Sequence, residues 1–291
     1  MSKLNYLKKP EWLKIRIPGG EGYREVKKLL QDHKLHTVCE EALCPNMEEC
    51  WGRKTATFMI LGDTCTRNCR FCGVAKGVPL PPNANEPDEL AEAVRELNLH
   101  HVVLTSVDRD DLPDGGASIW ADSIRKIQKT SPDCTIEVLI PDFQGDLSAL
   151  DTVLDTRPDV VGHNLETVPS LYPAARSKGN YKLSLSVLKY ISQKDFRTKT
   201  GIMLGLGEKP EEIHQLMKDA VDSGVKIFTI GQYLQPTSKH LEVKEYVKPE
   251  KFREYKLLGK SLGFEHVESG PLVRSSYHAD EQTSKIRQDV S

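Results

Sequence analysis

Six of the seven cysteines of this 291-residue chain lie in one stretch near its beginning. Cys65, Cys69 and Cys72 are separated by three and then two residues, directly after a short apolar run. Thiolates this close in one loop can converge on a metal centre, and they are the ligands that iron–sulfur clusters require. A zinc site would need a fourth Cys or His nearby, and none follows Cys72 at short range. The spacing therefore favours a cluster with one iron left open over a zinc loop or a chance grouping.

A second group of three cysteines precedes the first. Cys39, Cys44 and Cys50 are separated by four and five residues, and again no fourth cysteine is close. A zinc site or three buried cysteines remain the alternatives, but two such groups in one short stretch indicate a second cluster. Its fourth ligand must come from elsewhere in the chain or from outside it. Cys134 stands apart just before an apolar run, and we expect it to be inert packing.

The elements that must position these groups follow an alternating pattern from residue 58 onward. Short apolar runs predict strands, which we place at Phe58–Gly62, His101–Thr105, Thr135–Ile140, Val160–His163, Thr200–Leu204 and Lys226–Ile230. Amphipathic stretches predict helices, which we place at Asp88–Leu97, Ser118–Lys129, Leu147–Asp155, Leu183–Ile191, Pro210–Ser223 and Pro249–Leu262.

This alternation predicts an α/β fold with a parallel sheet. A β-α-β unit takes roughly 30 residues, so residues 58–233 hold about six units, and eight would be crowded. We therefore expect an incomplete (β/α)6 TIM-like barrel with N- and C-terminal extensions. Active sites of such barrels lie at the carboxyl ends of the strands, so functional residues are sought there.

Polar residues follow two of the predicted strands. Thr105 and Ser106 end the second strand, and Asp108, Asp110 and Asp111 come directly afterwards. Hydroxyls and carboxylates at a barrel rim suit the ammonium group of a bound ligand. For Asp110 and Asp111, a solvated acidic turn is an equally good interpretation.

The fourth and fifth predicted strands also end in residues with chemical potential. Asn164 and Glu166 follow the fourth strand, and a charged side chain there is hard to place in a core. Gly205 and Gly207 follow the fifth strand and permit close approach of a ligand to the backbone. They are equally compatible with a simple turn into the helix that begins at Pro210.

Composition excludes several classes of protein. The net charge is −2, with 38% hydrophobic and 28% charged residues, which is typical of a globular protein and does not suggest nucleic-acid binding. No apolar run reaches the ~18 residues of a transmembrane helix. The first residues lack the apolar core of a secretory signal and the acid-poor character of a mitochondrial presequence. Seven cysteines are too few for a secreted disulfide scaffold. We expect a cytoplasmic protein without a membrane or nucleic-acid partner.

The first 38 residues are locally basic. They hold nine basic residues against four acidic ones, the basic ones being Lys3, Lys8, Lys9, Lys14, Arg16, Arg24, Lys27, Lys28 and Lys34. A segment of this kind is usually a solvated surface, but it can also steer an acidic partner.

The triad Cys65/Cys69/Cys72, with Phe71 before its last cysteine, resembles the signature of the radical S-adenosylmethionine superfamily. Within that superfamily, the gaps of the second triad and its CPN sequence are similar to those of the lipoyl synthases. The string Arg274–Ala279 (RSSYHA) is similar as well. The resemblance covers nearly the whole chain and includes the strings LGDTCTRNCRFCGV, LTSVDRDDLPDGGA, HNLETVPSLYP, GIMLGLGE and GQYLQPTSKHL.

The resemblance implies a sulfurtransferase with two 4Fe–4S clusters and S-adenosylmethionine. Its open iron, on the cluster of Cys65, Cys69 and Cys72, would bind S-adenosylmethionine, which is cleaved to a 5′-deoxyadenosyl radical. Two sulfur atoms would enter at C6 and C8 of a protein-bound octanoyl-lysine and give the lipoyl cofactor. They would come from a sacrificed auxiliary cluster, whose implied ligands are Cys39, Cys44, Cys50 and Ser276. Ser276 is nominated by the resemblance alone.

The resemblance also implies contacts and partners. The residues expected to contact S-adenosylmethionine are Thr105, Ser106, Asn164 and Glu166, and no side chain is assigned as a catalytic acid or base. The implied partners are octanoylated lipoyl carrier domains or the glycine-cleavage H protein, and a ferredoxin- or flavodoxin-type electron donor.

We divide the chain accordingly into an N-terminal extension (1–50), a core barrel (51–265) and a C-terminal extension (266–291). For Ser276 to reach the upstream cysteines, both extensions must close over the barrel mouth. Two alternatives stay open. One is another radical sulfur-inserting enzyme, such as a biotin-synthase relative. The other is a non-enzymatic electron carrier with two clusters, although such carriers supply four cysteines to each cluster.

Overall fold

The structure of the chain is a computed structural model that describes residues 7–14, 20, 24, 26–28, 36–41 and 44–283. Of the basic N-terminal residues, Lys3, Arg16 and Lys34 lie outside the described residues. In the part that the structure describes, no helix is both long and apolar enough to cross a bilayer.

The described residues form one large sheet and one small one. The strands are β1 His36–Thr37, β2 Thr55–Ile60, β3 Thr64–Cys65, β4 Ala75–Lys76, β5 His101–Ser106, β6 Thr135–Leu139, β7 Val160–Gly162, β8 Arg197–Leu204, β9 Ile227–Gln232 and β10 His266–Ser269. The large sheet has the order β1-β2-β5-β6-β7-β8-β9-β10, and β3 pairs with β4. All neighbours from β2 to β10 are parallel, whereas β1 is antiparallel to β2.

Helices connect the parallel strands. They are α1 Val38–Glu41, α2 Met47–Gly52, α3 Glu86–Glu96, α4 Ala117–Thr130, α5 Leu147–Leu154, α6 Tyr172–Ala175, α7 Tyr181–Gln193, α8 Pro210–Asp222, α9 Pro249–Leu262 and α10 Ala279–Thr283. Pro210 and Pro249 lie in the first turns of α8 and α9, where the missing N–H has no helical partner to lose. Gly263 ends α9 with φ 108°, a conformation that glycine adopts without strain.

The two faces of the sheet differ in polarity. Val138 and Val161 belong to a buried apolar cluster with Leu150 of α5, and so form the face beneath the helices. Successive residues of a strand point to opposite faces, so Glu137 and Lys199 point into the barrel. Their side chains are 2% and 3% exposed and form an ion pair of 2.8 Å. Burying one unpaired charge is costly. Because Glu137 and Lys199 neutralise each other, both can lie in the barrel interior.

The expected partial barrel is confirmed, and it holds one more parallel strand than the six that were predicted. The seventh, β10, lies in the segment assigned to the C-terminal extension and pairs with β9. Its sequence, His-Val-Glu-Ser, has one buried apolar residue, Val267. A search for apolar runs therefore passed over it.

The end of β2 differs from the prediction in a way that matters for the first triad. β2 begins at Thr55 and ends at Ile60, before the predicted Gly62, because Leu61 and Gly62 have φ values of 69° and 92°. Glu86 accepts a 2.8 Å hydrogen bond from the Leu61 N–H and so holds this turn. A left-handed leucine is strained, and the turn directs the next residues across the carboxyl end of the barrel.

Candidate metal centres

The first cysteine triad lies in a loop clamped at the carboxyl end of the barrel. Cys65 is in β3, and its C=O accepts a hydrogen bond of 3.1 Å from Gly77, just after β4. The Cys72 C=O accepts another of 2.9 Å from the His240 ring. Arg70 donates its N–H to the Ala175 C=O at 2.8 Å. Segments far apart in sequence therefore fix the loop from three sides.

The thiols of this loop lie in a low-dielectric environment. Burial raises the pKa of Cys69 to about 12 and that of Cys72 to about 11. Burial and the Asp108 carboxylate also raise the pKa of Cys65. The three thiols are therefore neutral at neutral pH unless a cation stabilises their thiolates, which is how metal binding is coupled to deprotonation.

Arg67, between the first two cysteines, ties the loop to the ends of β5 and β6. Its guanidinium contacts Asp108 at 3.3 Å, Asp110 at 2.9 Å and Asp142 at 2.7 Å. Although burial opposes ionisation, hydrogen bonds from Arg67 lower the pKa of Asp142 to about 2. Asp110 is thus engaged by an arginine rather than simply solvated.

Asp111 is likewise engaged, in a bidentate pair with Arg109 at 2.9 Å. Burial of Arg109 is nearly complete, and its guanidinium also donates to the Leu61 C=O at 3.2 Å. The acidic turn after β5 is therefore organised by two arginines that the sequence analysis had left without a role.

β5 ends with Thr105 and Ser106, two of the residues that are expected to contact the cofactor. The Thr105 hydroxyl donates to the Leu139 C=O at 3.2 Å. The Ser106 hydroxyl is buried, and among the described residues it has no hydrogen-bond partner. Since side chains alternate along a strand, Thr105 points into the barrel, whereas Ser106 shares the helix-covered face of β5 with Leu104.

Glu166 and Arg176 lie near the first triad, and Asn164 contacts both of them. Burial raises the pKa of Glu166, and the charge of Arg176 opposes that rise. Glu166 has φ 67°, and its backbone bridges to β8 through the Met203 N–H at 2.8 Å. The charge of Arg176 lowers the pKa of Cys69, and the charge of Glu166 raises it. The structure therefore brings these predicted residues to the cysteine loop.

Arg176 is a site residue that the sequence analysis missed. Its side chain is 9% exposed and donates to the Asn164 C=O at 3.0 Å. Little in the sequence signalled it, because Arg176 begins a polar segment (RSKGN) after α6 and its partners depend on how the chain returns to the barrel rim.

Gly205 and Gly207 form a turn that is closed by its own side chain. The Glu208 carboxylate accepts hydrogen bonds from the N–H groups of Gly205 and Leu206. Gly205 and Gly207 have φ values of 98° and 112°, which require glycine. These contacts favour the turn interpretation, because the N–H groups of Gly205 and Leu206 are already engaged.

The second triad and Ser276 line one small cavity. Cys39 is in α1 and Cys50 in α2, with Cys44 between the two helices. The Thr55 hydroxyl lines the same cavity and is buried, with no hydrogen-bond partner among the described residues. Three thiols with the Ser276 hydroxyl beside them form a donor set that fits an iron–sulfur cluster.

Contacts between the two ends of the chain build this cavity. Asn46 donates to the Leu272 C=O at 2.8 Å. Glu49 accepts hydrogen bonds from the Tyr277 hydroxyl at 3.1 Å and the His278 ring at 2.9 Å. The C-terminal extension then continues to the amino end of the barrel, where Arg197, the first residue of β8, donates to the Gln282 C=O at 2.8 Å.

The second triad differs from the first in the ionisation of one thiol. A hydrogen bond from Cys39 lowers the pKa of Cys44 to about 7, and the charge of Arg274 acts in the same direction. Burial raises the pKa of Cys50 to about 12. Cys44 is therefore the thiol of this cavity that ionises nearest to neutral pH.

The arrangement does not match a mononuclear zinc site. Among the described residues, no three His, Cys, Asp or Glu side chains are grouped so as to hold one metal ion. Zinc needs its ligands around a single point, whereas each iron of a cluster takes its own ligand.

Family models match two parts of the chain. Residues 59–220 match the radical SAM superfamily, and residues 1–44 match the N-terminal domain of lipoyl synthase of the radical SAM family.

Relatives similar over nearly the whole chain carry the name lipoyl synthase. That of Rubrobacter xylanophilus is 55% identical over 96% of this chain and 88% of its own. That of Caldicellulosiruptor saccharolyticus is also 55% identical, over 96% and 99%. The mitochondrial lipoyl synthase of Nematostella vectensis is 52% identical over 94% of each chain.

Solved structures share the fold at low identity. Methylornithine synthase PylB is 12% identical with a TM-score of 0.55, over 85% of this chain and 82% of its own. Streptococcus suis SuiB bound to S-adenosylmethionine is 11% identical with a TM-score of 0.54, over 86% and 61%. With the full-length relatives and both family models in agreement, the chain belongs to the lipoyl synthase family of the radical S-adenosylmethionine superfamily.

Proposed function

We propose that this chain inserts two sulfur atoms at C6 and C8 of an octanoyl group on a lysine of a lipoyl carrier protein, using two 4Fe–4S clusters and S-adenosylmethionine. The observation that carries the proposal is that Ser276, near one end of the chain, lines the cavity of Cys39, Cys44 and Cys50. A second, separate cysteine loop lies at the barrel mouth. When bound, these groups supply the radical that removes one hydrogen at each carbon and the sulfur that replaces it.

In the proposed radical site, Cys65, Cys69 and Cys72 hold one cluster, and the residues that bind S-adenosylmethionine are Thr105, Ser106, Asn164 and Glu166. The position of Thr105 supports this assignment, since it lies at the carboxyl end of β5 on the face that points into the barrel. Arg176 supports it as well, because it holds the Asn164 backbone and offsets the charge of Glu166. These side chains orient the cofactor and limit the access of water to it.

In the proposed auxiliary site, Cys39, Cys44, Cys50 and Ser276 are the ligands. The charge of Arg274 next to Cys44 supports a centre that carries negative charge there. Glu49 holds the two residues that follow Ser276 through hydrogen bonds to Tyr277 and His278. These hydrogen bonds keep Ser276 at the cavity, although the three cysteines that line it belong to the other end of the chain.

We further propose that the segments 1–50, 51–265 and 266–291 act as the N-terminal extension, core barrel and C-terminal extension. The partners proposed are octanoylated carrier domains, including the glycine-cleavage H protein, and a ferredoxin- or flavodoxin-type electron donor. A reducing compartment, the cytoplasm, suits free cysteines at both sites.

The test is anaerobic reconstitution with iron and sulfide, followed by incubation with reductant, S-adenosylmethionine and an octanoyl-lysyl peptide. Mass spectrometry should show the peptide gaining two sulfur atoms, and 5′-deoxyadenosine should form alongside. Cys69→Ala should abolish both products, whereas Cys44→Ala should stop sulfur insertion and leave 5′-deoxyadenosine formation partly intact.

Cys134→Ala is the matched control. Cys134 is buried just before β6 and is not among the residues that line the second cavity, so this variant should keep wild-type activity. Reconstituted wild-type protein that makes neither product would contradict the proposed function. A reduced-protein spectrum that is insensitive to S-adenosylmethionine would point to an electron carrier instead.

A further inference from the structure

One arginine lies inside the first cysteine loop and is surrounded by carboxylates. Arg67 is 5% exposed, and its fork makes bidentate contacts with Asp110 at 2.9 and 2.9 Å and with Asp142 at 2.9 and 2.7 Å. Asp110 follows β5 and Asp142 follows β6. Planar bidentate pairs of this kind fix a guanidinium in both position and orientation. The loop between Cys65 and Cys69 is therefore anchored to two strand ends.

The same arginine acts on a cysteine through a third carboxylate. Asp108 Oδ2 lies 3.7 Å from Cys65 Sγ, and Asp108 Oδ1 lies 3.3 Å from Arg67 Nε. The Arg67 backbone N–H also donates to Cys65 Sγ at 3.4 Å. Arg67 thus donates a hydrogen bond to the sulfur and, through its side chain, offsets the negative charge of the carboxylate beside that sulfur.

We propose that Arg67 is a positioning residue that sets the reduction potential of the cluster at Cys65, Cys69 and Cys72, an inference that rests on the function proposed for this loop. Cluster potentials depend on net charge and on hydrogen bonds to the sulfurs. An uncompensated Asp108 carboxylate next to Cys65 would make the entry of an electron less favourable. Arg67 offsets part of that penalty, so the cluster is reduced more readily by its electron donor.

The surrounding backbone supports a fixed rather than an adaptable arrangement. Thr66, next to Arg67, donates its N–H and its hydroxyl to the Asp108 C=O at 3.0 and 2.9 Å. On the other side, Phe143 and Gln144 after Asp142 have φ values of 43° and 53°. A residue other than glycine keeps a positive φ only where the surrounding structure holds its backbone in that conformation. The distance between the Asp108 carboxylate and Cys65 is thereby held by both neighbouring loops.

The test is a redox titration of reconstituted protein at pH 8, followed by the electron paramagnetic resonance signal of the reduced cluster. Only the signal that changes on adding S-adenosylmethionine and is lost in Cys69→Ala is assigned to this cluster. At a fixed solution potential, Arg67→Gln should lower the ratio of reduced to oxidised cluster by about tenfold, or about 59 mV for one electron. Adding Asp108→Asn to Arg67→Gln should restore most of that ratio, a rescue that a purely structural role would not produce.

Arg109→Gln is the matched control, because Arg109 is equally buried and makes a bidentate pair with Asp111 in the same turn. It should leave the potential unchanged. If Arg67→Gln retains no iron, Asp108→Asn alone decides the question, since it should shift the potential upward. The inference is overturned if Arg67→Gln has the wild-type potential. It is also overturned if the double variant shows the same lowered ratio of reduced to oxidised cluster as Arg67→Gln. Where Arg67→Gln holds no iron, a wild-type potential in Asp108→Asn overturns it. A wild-type protein without the S-adenosylmethionine-sensitive signal would instead overturn the proposed function.

Discussion

Ser276 places a hydroxyl oxygen at the cavity that Cys39, Cys44 and Cys50 also line. Oxygen is a harder ligand than thiolate, and iron–sulfur clusters are ordinarily held by thiolates. In the proposed function, Ser276 would hold the auxiliary cluster through a ligand weaker than thiolate, which would favour release of its sulfur to the substrate. Replacing Ser276 with Cys should therefore keep the cluster but slow the formation of lipoyl product by about tenfold or more in a single turnover.

Formation of 5′-deoxyadenosine should continue in Ser276→Cys, because the loop of Cys65 is untouched. The neighbouring Ser275→Cys is the control and should make product at the wild-type rate. The measurement is product per enzyme beside 5′-deoxyadenosine per enzyme. A normal product rate in Ser276→Cys would show that the weak-ligand idea is wrong and would remove the reason to treat Ser276 as a ligand.

Individual residues differed in how far the sequence could reveal them. The spacing of Cys65, Cys69 and Cys72 was sufficient to predict a metal loop, since ligands close in sequence share one turn. Ser276 was found only by resemblance, because a serine at the other end of the chain has no local signal. Arg67 and Arg176 were missed because their partners come from other strand ends.

The strand and helix pattern was largely predictable because buried strands between amphipathic helices leave a clear hydrophobic period. α4 and α9, for example, begin and end within one residue of the predicted bounds. β10 was not predicted, since only tertiary pairing with β9 makes a strand of a short and mainly polar segment. The turn at Leu61 was missed for the same reason, because it is fixed by Glu86 from another element.

His163, which follows β7, links that strand to α7 and should make stability depend on pH. Its ring contacts the Ile140 C=O at 2.9 Å and the Ser184 hydroxyl at 3.0 Å. Burial lowers the pKa of His163 to about 4, from 6.5 for an exposed histidine. As the pH falls from 6.5 towards 4, the unfolded chain takes up the proton first, so stability is lost in this window. The loss amounts to about 1.4 kcal/mol per pH unit at most.

The measurement is urea unfolding of wild type and His163→Gln under anaerobic conditions at pH 7 and pH 5. His163→Gln should be less stable at pH 7 but should lose less stability on acidification, by about 2 kcal/mol or less. His100→Gln, an exposed position next to β5, is the control and should follow the wild type. Equal acid sensitivity of His163→Gln and the wild type would mean that His163 is not buried as a neutral ring.

At the scale of the whole molecule, the two ends of the chain must fold together to complete the second cavity. Arg53, just after α2, pairs with Asp280 at 2.6 Å and with Glu281 at 2.7 Å. The family resemblance predicted that the extensions meet, because it nominates Ser276 as a ligand beside the three upstream cysteines. It did not predict the contacts that join them, since each involves residues more than 200 positions apart.

The iron content should reflect two independent sites. Reconstituted protein should bind about eight irons, four per cluster. Changing Cys39, Cys44 and Cys50 together to Ala should remove about half, because the loop of Cys65 is clamped by other segments. The measurement is iron and sulfide per folded chain, with Cys134→Ala as the control. Full iron in the triple variant would contradict the presence of a second cluster at these cysteines.

The basic N-terminal segment motivates a last prediction, about docking of the carrier domain. Lys8 and Lys9 are exposed, so their charges are available to an acidic partner. Attraction between exposed charges weakens as salt screens it, over a Debye length of about 10 Å at 0.1 M. Turnover on an intact octanoylated domain should therefore fall with salt more steeply than turnover on a short neutral octanoyl-lysyl peptide.

Charge removal separates a docking role from a general effect of salt on the enzyme. Changing Lys8 and Lys9 to Gln should flatten the salt dependence with the intact domain, because the screened attraction is already lost. It should leave turnover on the short peptide unchanged. Changing Lys251 and Lys260 of α9, also exposed, to Gln removes the same charge elsewhere and should keep the wild-type slope. If the intact domain and the peptide have the same salt dependence in the wild type, the basic segment has no part in docking, and the carrier must be recognised at the barrel mouth itself.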